Sequence, residues 1–306
     1  MNRSLKTPFR FNRLRSFLLI FVTLALSAGD VVAWDPVDVG IKRGIKPLVL
    51  NSTQLNESSG IAFSSVSPQC IWSHNDSGDG PRFIAFDRDG ICCGWSFLSG
   101  VAAVDWEDMD AYDDDGPRLL VADVGDNNSV RENVTIYLFD EPDPNEKSKE
   151  GVKRFQTLTV QYSGGPANCE SVAVDPQNRR ILMLTKTPFL ATMHSIPLPP
   201  RETANRGKLK FEYKSKVICT VTLPLATGMD FCPKTGDLWI SNYLHAFRFP
   251  VNQSGSVKAA LEAMPALVEM PRLKQIEAIA VTEKGEVWVS SEGIPAKLQR
   301  LQIPGE

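Results

Sequence analysis

The sequence lacks the motifs that identify many hydrolases and nucleotide-binding enzymes. It has no G-x-S-x-G nucleophile motif, no glycine-rich phosphate-binding loop and no H-E-x-x-H zinc helix. Its 306 residues include only three histidines, and none of its six cysteines has the C-x-x-C spacing of a zinc or redox site. No local signature therefore points to one of these enzyme classes.

Long apolar runs are also lacking beyond the N-terminus. Five basic residues precede an apolar run at residues 17–26, and Val31, Val32 and Ala33 offer a small-residue cleavage site. The run is short for a membrane span, which needs about 20 residues, so an uncleaved anchor is the weaker alternative. We predict a secretory signal peptide at residues 1–33 and one domain at residues 34–306, secreted or periplasmic, with no membrane span after cleavage.

An excess of basic charge is absent as well. The chain has 33 basic and 36 acidic residues, and the leader accounts for five of the former and one of the latter. The remaining 28 basic and 35 acidic residues give a net charge of −7. A nucleic-acid partner is excluded by this balance, because its phosphates select a basic surface.

Six cysteines in an exported chain are expected to form disulfides, and six cysteines allow 15 full pairings. The preferred pair joins Cys70 to Cys92 or Cys93, because both ends of that link are expected at the same end of one sheet.

Five short segments of the chain resemble one another. They lie at residues 59–63, 107–111, 170–174, 227–231 and 277–281. Their spacing averages about 55 residues, in the range of β-propeller blades rather than of helical repeats. A second β-rich run follows each segment after a turn that contains Gly, Pro, Asp or Lys.

These repeats predict an all-β propeller of four-stranded antiparallel blades, with five blades and six as the alternative. The last repeat ends after its third strand, and an additional strand at residues 45–50 precedes the first repeat. This N-terminal strand is predicted to complete the last blade and close the ring, which removes free sheet edges. A helix at residues 257–268 is predicted to replace the fourth strand of blade four.

Four motifs carry a resemblance to known proteins. They are E-S-S-G-I-A at residues 57–62, W-S-H-N-D-S-G-D at 72–79, V-D-W-E-D-M at 104–109 and A-D-V-G-D-N at 122–127. Together they resemble a group of exported bacterial β-propeller proteins, loosely similar to phytase-like and lactonase-like propellers. The motifs cover residues 57 to about 140. The resemblance implies a fold and supplies no catalytic residues.

Strand direction predicts that two sets of acids converge at one mouth of the ring. Residues that open first strands and residues in the loops after second strands lie on the same face of an up-and-down propeller. The first set is Glu57, Asp105, Glu107, Glu170 and Glu277. The second set is Asp76, Asp79, Asp123 and Asp126.

Carboxylates this close repel one another unless a cation or an arginine neutralises them. Sets of oxygen ligands suit Ca²⁺, and the loops at residues 76–79 and 123–126 each hold two aspartates around a glycine. The predicted Ca²⁺ ligands are Asp76, Asp79, Asp105, Glu107, Asp123 and Asp126. The rest of the predicted ligand-binding face is Glu57, His74, Asn75, Arg82, Trp106, Asn127, Glu170, Lys186 and Glu277.

A purely structural interpretation of these residues stays open. Aspartate is an ordinary turn former, and the acids are able to pair with Arg82, Arg131 or Lys186 to hold blades together. In this interpretation His74 is a hydrogen-bonded loop residue and Trp106 packs between blades.

Two functions remain as hypotheses. The first is a monomeric, exported binding module whose acidic face takes an unidentified small-molecule, glycan or protein ligand, with Ca²⁺ at that face. The second is a Ca²⁺-dependent hydrolase of phosphate esters or lactones, in which Glu107 or His74 transfers the proton. The hydrolase follows from the resemblance and from the paired aspartate loops.

Overall fold

The structure is a computed structural model that describes residues 46–201 and 209–303. Its strands form five sheets, which are the blades of a five-bladed propeller, and the all-β prediction is confirmed. The inner strands contact one another in chain order, and the last inner strand contacts the first. The predicted signal peptide at residues 1–33 lies outside the described residues.

The strand bounds follow the predicted repeats. The first strand of the described residues is β1 (Leu48–Val49). Blade one holds β2 (Ser58–Phe63), β3 (Ile71–Asn75), β4 (Arg82–Phe86) and β5 (Cys92–Phe97). Blade two holds β6 (Trp106–Asp113), β7 (Pro117–Asp123), β8 (Val134–Asp140) and β9 (Gln156–Gln161). Blade three holds β10 (Cys169–Asp175), β11 (Arg180–Thr185), β12 (Leu190–Pro197) and β14 (Lys216–Thr222).

Two further blades complete the ring. Blade four holds β15 (Ala226–Phe231), β16 (Leu238–Asn242), β17 (His245–Phe249) and β18 (Ala266–Glu269). Blade five holds β19 (Ile276–Val281), β20 (Val287–Ser291) and β21 (Lys297–Arg300). An additional strand, β13 (Lys210–Lys214), pairs in parallel with β9 at the outer edge of blade two.

The N-terminal strand closes the ring as predicted. β1 pairs antiparallel with β21, with Leu48 opposite Leu298. The amide of Leu50 then donates a hydrogen bond of 2.9 Å to Ala296 O. Blade five therefore takes its fourth strand from the N-terminal end of the described residues. β1 covers the edge of β21 that would otherwise be unpaired.

The predicted helix begins at residue 257 as expected, but it is shorter than predicted and does not have the predicted role. Two short helices, α1 (Val251–Ser254) and α2 (Val257–Glu262), lie between β17 and β18. They do not replace the fourth strand, because β18 pairs with β17 and fills that position. Helical spacing at Val257, Ala260 and Leu261 buries one face of α2 in the core.

The core consists of apolar layers between neighbouring blades. Successive residues of a strand point to opposite faces, so Leu119 and Val121 pack in the layer shared with blade one. Leu120 and Ala122 of the same strand pack in the layer shared with blade three. Each fully buried large side chain contributes about 1.5–3 kcal/mol, and these layers hold the inner strands in place around the ring.

All five inner strands carry a bulge at the same repeat position. The register shifts between Ser58 and Gly60 in blade one, and the four other inner strands shift at the equivalent place. The extra residues are Ser59, Glu107, Glu170, Thr227 and Glu277. A bulge redirects a side chain relative to the regular strand, and this repeated bulge positions the site described next.

Candidate functional site

The inner strands approach most closely just after the bulge. A Cβ added at Gly60 would lie 2.9 Å from Met109 N of blade two, and one at Gly228 would lie 3.0 Å from Ile279 N of blade five. These separations explain why the repeat position is occupied by small residues in four blades, namely Gly60, Ser171, Gly228 and Ala278. The fifth blade has Asp108 there.

Asp108 is fully buried and links three blades. Its Oδ2 accepts hydrogen bonds from Val172 N of blade three at 2.8 Å and from Met229 N of blade four at 3.3 Å. Its Oδ1 accepts from Met109 N at 2.9 Å. The carboxyl group therefore occupies the middle of the ring and separates its two mouths.

Three acids come together at the mouth where the inner strands begin. Asp76 directly follows β3, Asp105 directly precedes β6, and Glu107 is the bulge residue of β6. One oxygen of each lies within 4.8 Å of the others. We call Asp76, Asp105 and Glu107 the acid triad, and none of the three forms an ion pair within the described residues.

The electrostatics of the acid triad reflect this lack of a cation. Burial raises the pKa of Glu107 well above its ordinary value, and repulsion from Glu170 and Asp76 raises it further. Burial followed by contact with Asp76 raises the pKa of Asp105 to about 7. Asp105 and Glu107 are therefore harder to ionise than ordinary surface carboxylates, and a nearby positive charge would favour their ionised form.

Gly125 packs against two of the three carboxylates. A Cβ built on Gly125 would lie 2.3 Å from Glu107 Oε1 and 2.4 Å from Asp105 Oδ2. Any other residue at position 125 would therefore push into the carboxylates. The residues fit a divalent cation that prefers oxygen ligands, because the three carboxylates are clustered and form no ion pair within the described residues.

A lysine network lies on the other side of the same mouth. Lys186 Nζ contacts a carboxylate oxygen of Glu170, donates to Tyr243 Oη at 2.7 Å and lies 3.8 Å from Glu277 Oε2. Burial lowers the pKa of Lys186, but Glu170 and Glu277 raise it overall. Burial raises the pKa of Glu277 to about 7. The network therefore places one firmly charged ammonium group beside the acid triad.

Three of the predicted metal ligands are engaged by arginines instead. Asp79 forms an ion pair of 2.8 Å with Arg82, and Asp123 forms one of 2.8 Å with Arg131. Asp126 Oδ2 accepts the backbone N–H of Arg131 at 2.7 Å. The structure therefore brings together half of the six predicted ligands and gives Asp79, Asp123 and Asp126 structural contacts.

Asp123 has a structural equivalent in blade one. Its carboxylate accepts from the amides of Val104 and Asp105 at 3.0 and 3.2 Å. Asn75 occupies the same repeat position, and its Oδ1 accepts from the amides of Asn56 and Glu57 at 2.9 and 3.1 Å. Both side chains fix the chain as it enters the inner strand, a role that requires an acceptor and no charge.

His74 and Trp106 lie beneath the mouth rather than on its surface. Each is 1% exposed, and their rings pack edge to face with centroids 5.4 Å apart. His74 Nδ1 pairs with Asn75 O at 2.9 Å, and burial lowers the pKa of the imidazole. Neither side chain is placed to contact a ligand in the open mouth.

The remaining predicted residues lie at the rim. Glu57 and Asn127 are exposed, and Asn127 Oδ1 accepts from Asn168 Nδ2 at 3.2 Å. Two residues of the mouth were missed, Tyr243 and Glu292, which directly follow β16 and β20. They occupy the repeat position of Asp76 and Lys186 after β3 and β11. The same rule of strand direction would have found them.

Comparisons with known proteins concern the fold alone. No protein-family model and no curated protein matches the chain. A gluconolactonase from Xanthomonas campestris is 11% identical with a TM-score of 0.44, over 81% of this chain and 87% of that one.

Two further solved structures are similar. A chain of a nidogen/laminin complex is 12% identical with a TM-score of 0.45, over 81% of each chain. A luciferin-regenerating enzyme is 11% identical with a TM-score of 0.42, over 85% of this chain and 96% of that one. Similarity at this level carries no argument about activity.

Proposed function

We propose that the protein is an exported binding module that holds Ca²⁺ at the acid triad and binds its ligand at the same mouth. The observation that carries this proposal is the unpaired set of Asp76, Asp105 and Glu107, with oxygens within 4.8 Å of one another. Carboxylate oxygens without an arginine or lysine partner are favourable ligands for a hard divalent cation. Export rests on the predicted signal peptide at residues 1–33.

The number of donors indicates how a ligand would be held. Ca²⁺ takes six to eight oxygen ligands, and three carboxylates leave part of that number to water or to a bound molecule. When bound, the cation would supply a positive charge that attracts ligand oxygens. Lys186 and Tyr243 lie beside it to position hydroxyl or carboxylate groups of a small molecule, glycan or protein ligand.

Thermal unfolding after EDTA treatment, with Ca²⁺, Mg²⁺ or Mn²⁺ added back, tests the cation. A ligand present at a hundred times its dissociation constant stabilises the folded protein by about 2.7 kcal/mol, which a melting curve resolves. We expect Ca²⁺ to raise the melting temperature, and Asp105→Asn and Glu107→Gln to abolish the rise.

Two of the arginine-engaged aspartates provide matched controls. Asp79→Asn and Asp126→Asn keep a hydrogen-bond acceptor and remove one negative charge near the same mouth. They are expected to retain the Ca²⁺ response. A response that survives Glu107→Gln and disappears in Asp79→Asn would place the cation elsewhere and contradict the proposal.

A Ca²⁺-dependent hydrolase of phosphate esters or lactones is the second candidate. One feature favours it: burial and repulsion from Glu170 raise the pKa of Glu107 well above its ordinary value. Such a group is suited to donate a proton to a leaving oxygen. His74 is too deeply buried to share this role.

Activity measurements separate the two candidates. The purified protein in saturating Ca²⁺ would be tested with phytate, aryl phosphates and sugar lactones, beside Glu107→Gln and the control Asp79→Asn. Turnover that is lost in the first variant and kept in the second would establish a hydrolase. No turnover with any of these substrates, together with a Ca²⁺ response, would leave the binding module.

A further inference from the structure

The opposite mouth of the ring contains a separate cavity of about 640 Å³. It is lined by the ends of inner strands and by the turns that follow them, for example Phe63, Asp113, Asp175 and Phe231. Its volume lies within the range of about 300–1,000 Å³ that is typical of small-molecule sites. Asp108 lies between this cavity and the acid triad, so the two sites are distinct.

The walls combine aromatic faces with an excess of negative charge. Six carboxylate side chains line the cavity, and only two basic side chains, Arg88 and Lys284, accompany them. The acids are Asp110, Asp113, Asp175, Asp230, Glu283 and Glu286. Asp175 pairs with Arg180 and Glu286 with Arg300, each at 2.8 Å. The four others form no ion pair within the described residues.

Two of these acids, Asp110 and Asp230, lie at the inner end of the cavity. Each uses one oxygen to accept a backbone N–H of another blade, from Val174 at 2.7 Å and from Val281 at 2.6 Å. Burial raises the pKa of Asp110 to about 7. Burial and repulsion from Asp110 raise the pKa of Asp230 well above its ordinary value. Neither Asp110 nor Asp230 forms an ion pair with a basic side chain in residues 46–201 and 209–303.

Other lining residues indicate what the cavity accepts. The guanidinium carbon of Arg88 lies 4.5 Å from the ring centroid of Phe63 and 5.6 Å from that of Trp288. The rings of Phe63 and Trp288 therefore already make cation–π contacts with the protein's own Arg88 at the edge of the cavity. Tyr112 Oη and Trp288 Nε1 are buried without a hydrogen-bond partner within the described residues.

We propose that this cavity binds an organic cation, a protonated amine with an apolar body. Its ammonium group would lie between Asp110 and Asp230, where it would replace their repulsion by attraction. Its apolar body would pack against Tyr112, Phe231 and Trp288. This site is independent of the acid triad and of the function proposed for it.

Calorimetric titration with three probes of the same shape tests the charge. The probes are 4-phenylbutylamine, 4-phenylbutanol and 4-phenylbutyrate, titrated into the full protein in EDTA so that the acid triad holds no metal. We expect the amine to bind at least tenfold more tightly than the alcohol, and the acid to bind weakest. Equal binding of the three probes, or no saturable amine binding at millimolar concentration, would overturn the proposal.

Substitutions locate the site. Asp230→Asn and Asp110→Asn retain an oxygen that accepts the blade N–H but remove the charge, so each is expected to weaken amine binding at least tenfold. Glu107→Gln at the acid triad is the matched control and is expected to leave it unchanged. Circular dichroism establishes that each variant is folded, and the probe series on the unmodified protein stands even where a variant is not. Amine binding that is lost in Glu107→Gln and kept in both aspartate variants would refute the assignment.

Discussion

Asp108 is predicted to be the polar link that holds the centre of the ring together. The change Asp108→Ala would remove the acceptor of two N–H groups from other blades, Val172 N and Met229 N. Both would lose this partner at a buried position, because Asp108 is 0% exposed. The substitution therefore tests whether the blades depend on this one carboxyl group.

The magnitude follows from the two lost bonds. Leaving a buried donor unsatisfied costs about 1–3 kcal/mol, so two donors give about 4 kcal/mol as a central value. A domain of this size loses about 2–4 °C of melting temperature per kcal/mol. We expect Asp108→Ala to melt about 8–16 °C lower than the unmodified protein.

Asp108→Asn is the matched variant, because it removes the ionisable group and keeps an accepting oxygen. Burial raises the pKa of Asp108 well above its ordinary value, and an amide matches the carboxyl group in size and keeps one oxygen that can accept the N–H groups of Val172 and Met229. We expect a loss of less than about 1 kcal/mol for Asn. Asp113→Ala, at the exposed end of the same strand, is the control for removing an aspartate from β6.

Urea and thermal unfolding in EDTA measure all three variants. Asp108→Ala within about 1 kcal/mol of the unmodified protein would refute the reasoning. A loss in Asp108→Asn as large as in Asp108→Ala would show that the negative charge matters, and not the accepted hydrogen bonds.

Three further predictions follow. The folded-state pKa of Asp110 is raised to about 7 and that of Asp230 lies well above its ordinary value, so the folded state binds more protons than the unfolded state. The free energy of unfolding should therefore fall as pH rises from about 4 through 7, and Asp110→Asn should flatten this slope in melting curves recorded in EDTA. Gly125→Ala would bring a Cβ within 2.4 Å of Asp105 and Glu107, and it should abolish the Ca²⁺-induced rise in melting temperature while the protein stays folded; a full response would contradict the proposed site. Cys70 Sγ and Cys93 Sγ are free and 3.7 Å apart, so oxidation should join them in preference to Cys92, and mass spectrometry of alkylated peptides would reveal any other pairing.

The fold could be predicted from the sequence because the segments that form the inner strands recur along the chain. Five copies of one segment, at spacings that suit a four-stranded unit, define five blades, and the surplus N-terminal strand has only the last blade to complete. The predicted helix extended too far because a strand of four residues, Ala266–Glu269, directly adjoins the helical pattern. Local composition does not mark such a boundary.

Only part of the candidate site could be predicted from the sequence. Strand direction predicted which end of the ring collects the acids, but it did not predict which acids stay without a cation. That depends on the positions reached by the Arg82 and Arg131 side chains, which the repeat pattern does not predict. The second cavity was missed because the sequence analysis considered only the residues that open the inner strands, whereas the cavity is lined by the ends of those strands and by the turns that follow them.

The repeats themselves provide a comparison that separates function from folding at the acid triad. The bulge position is occupied by Ser59 in blade one and by Thr227 in blade four, where the same bulge forms with an uncharged side chain. The fold therefore does not require an acid at this position. Glu107, Glu170 and Glu277 occupy it in the three other blades, although burial raises the pKa of each. The bulge does not need a carboxylate, and burial disfavours the ionised form, so a positively charged partner would account for these acids. Lys186 is that partner for Glu170 and Glu277, and for Glu107 we propose the cation of the acid triad.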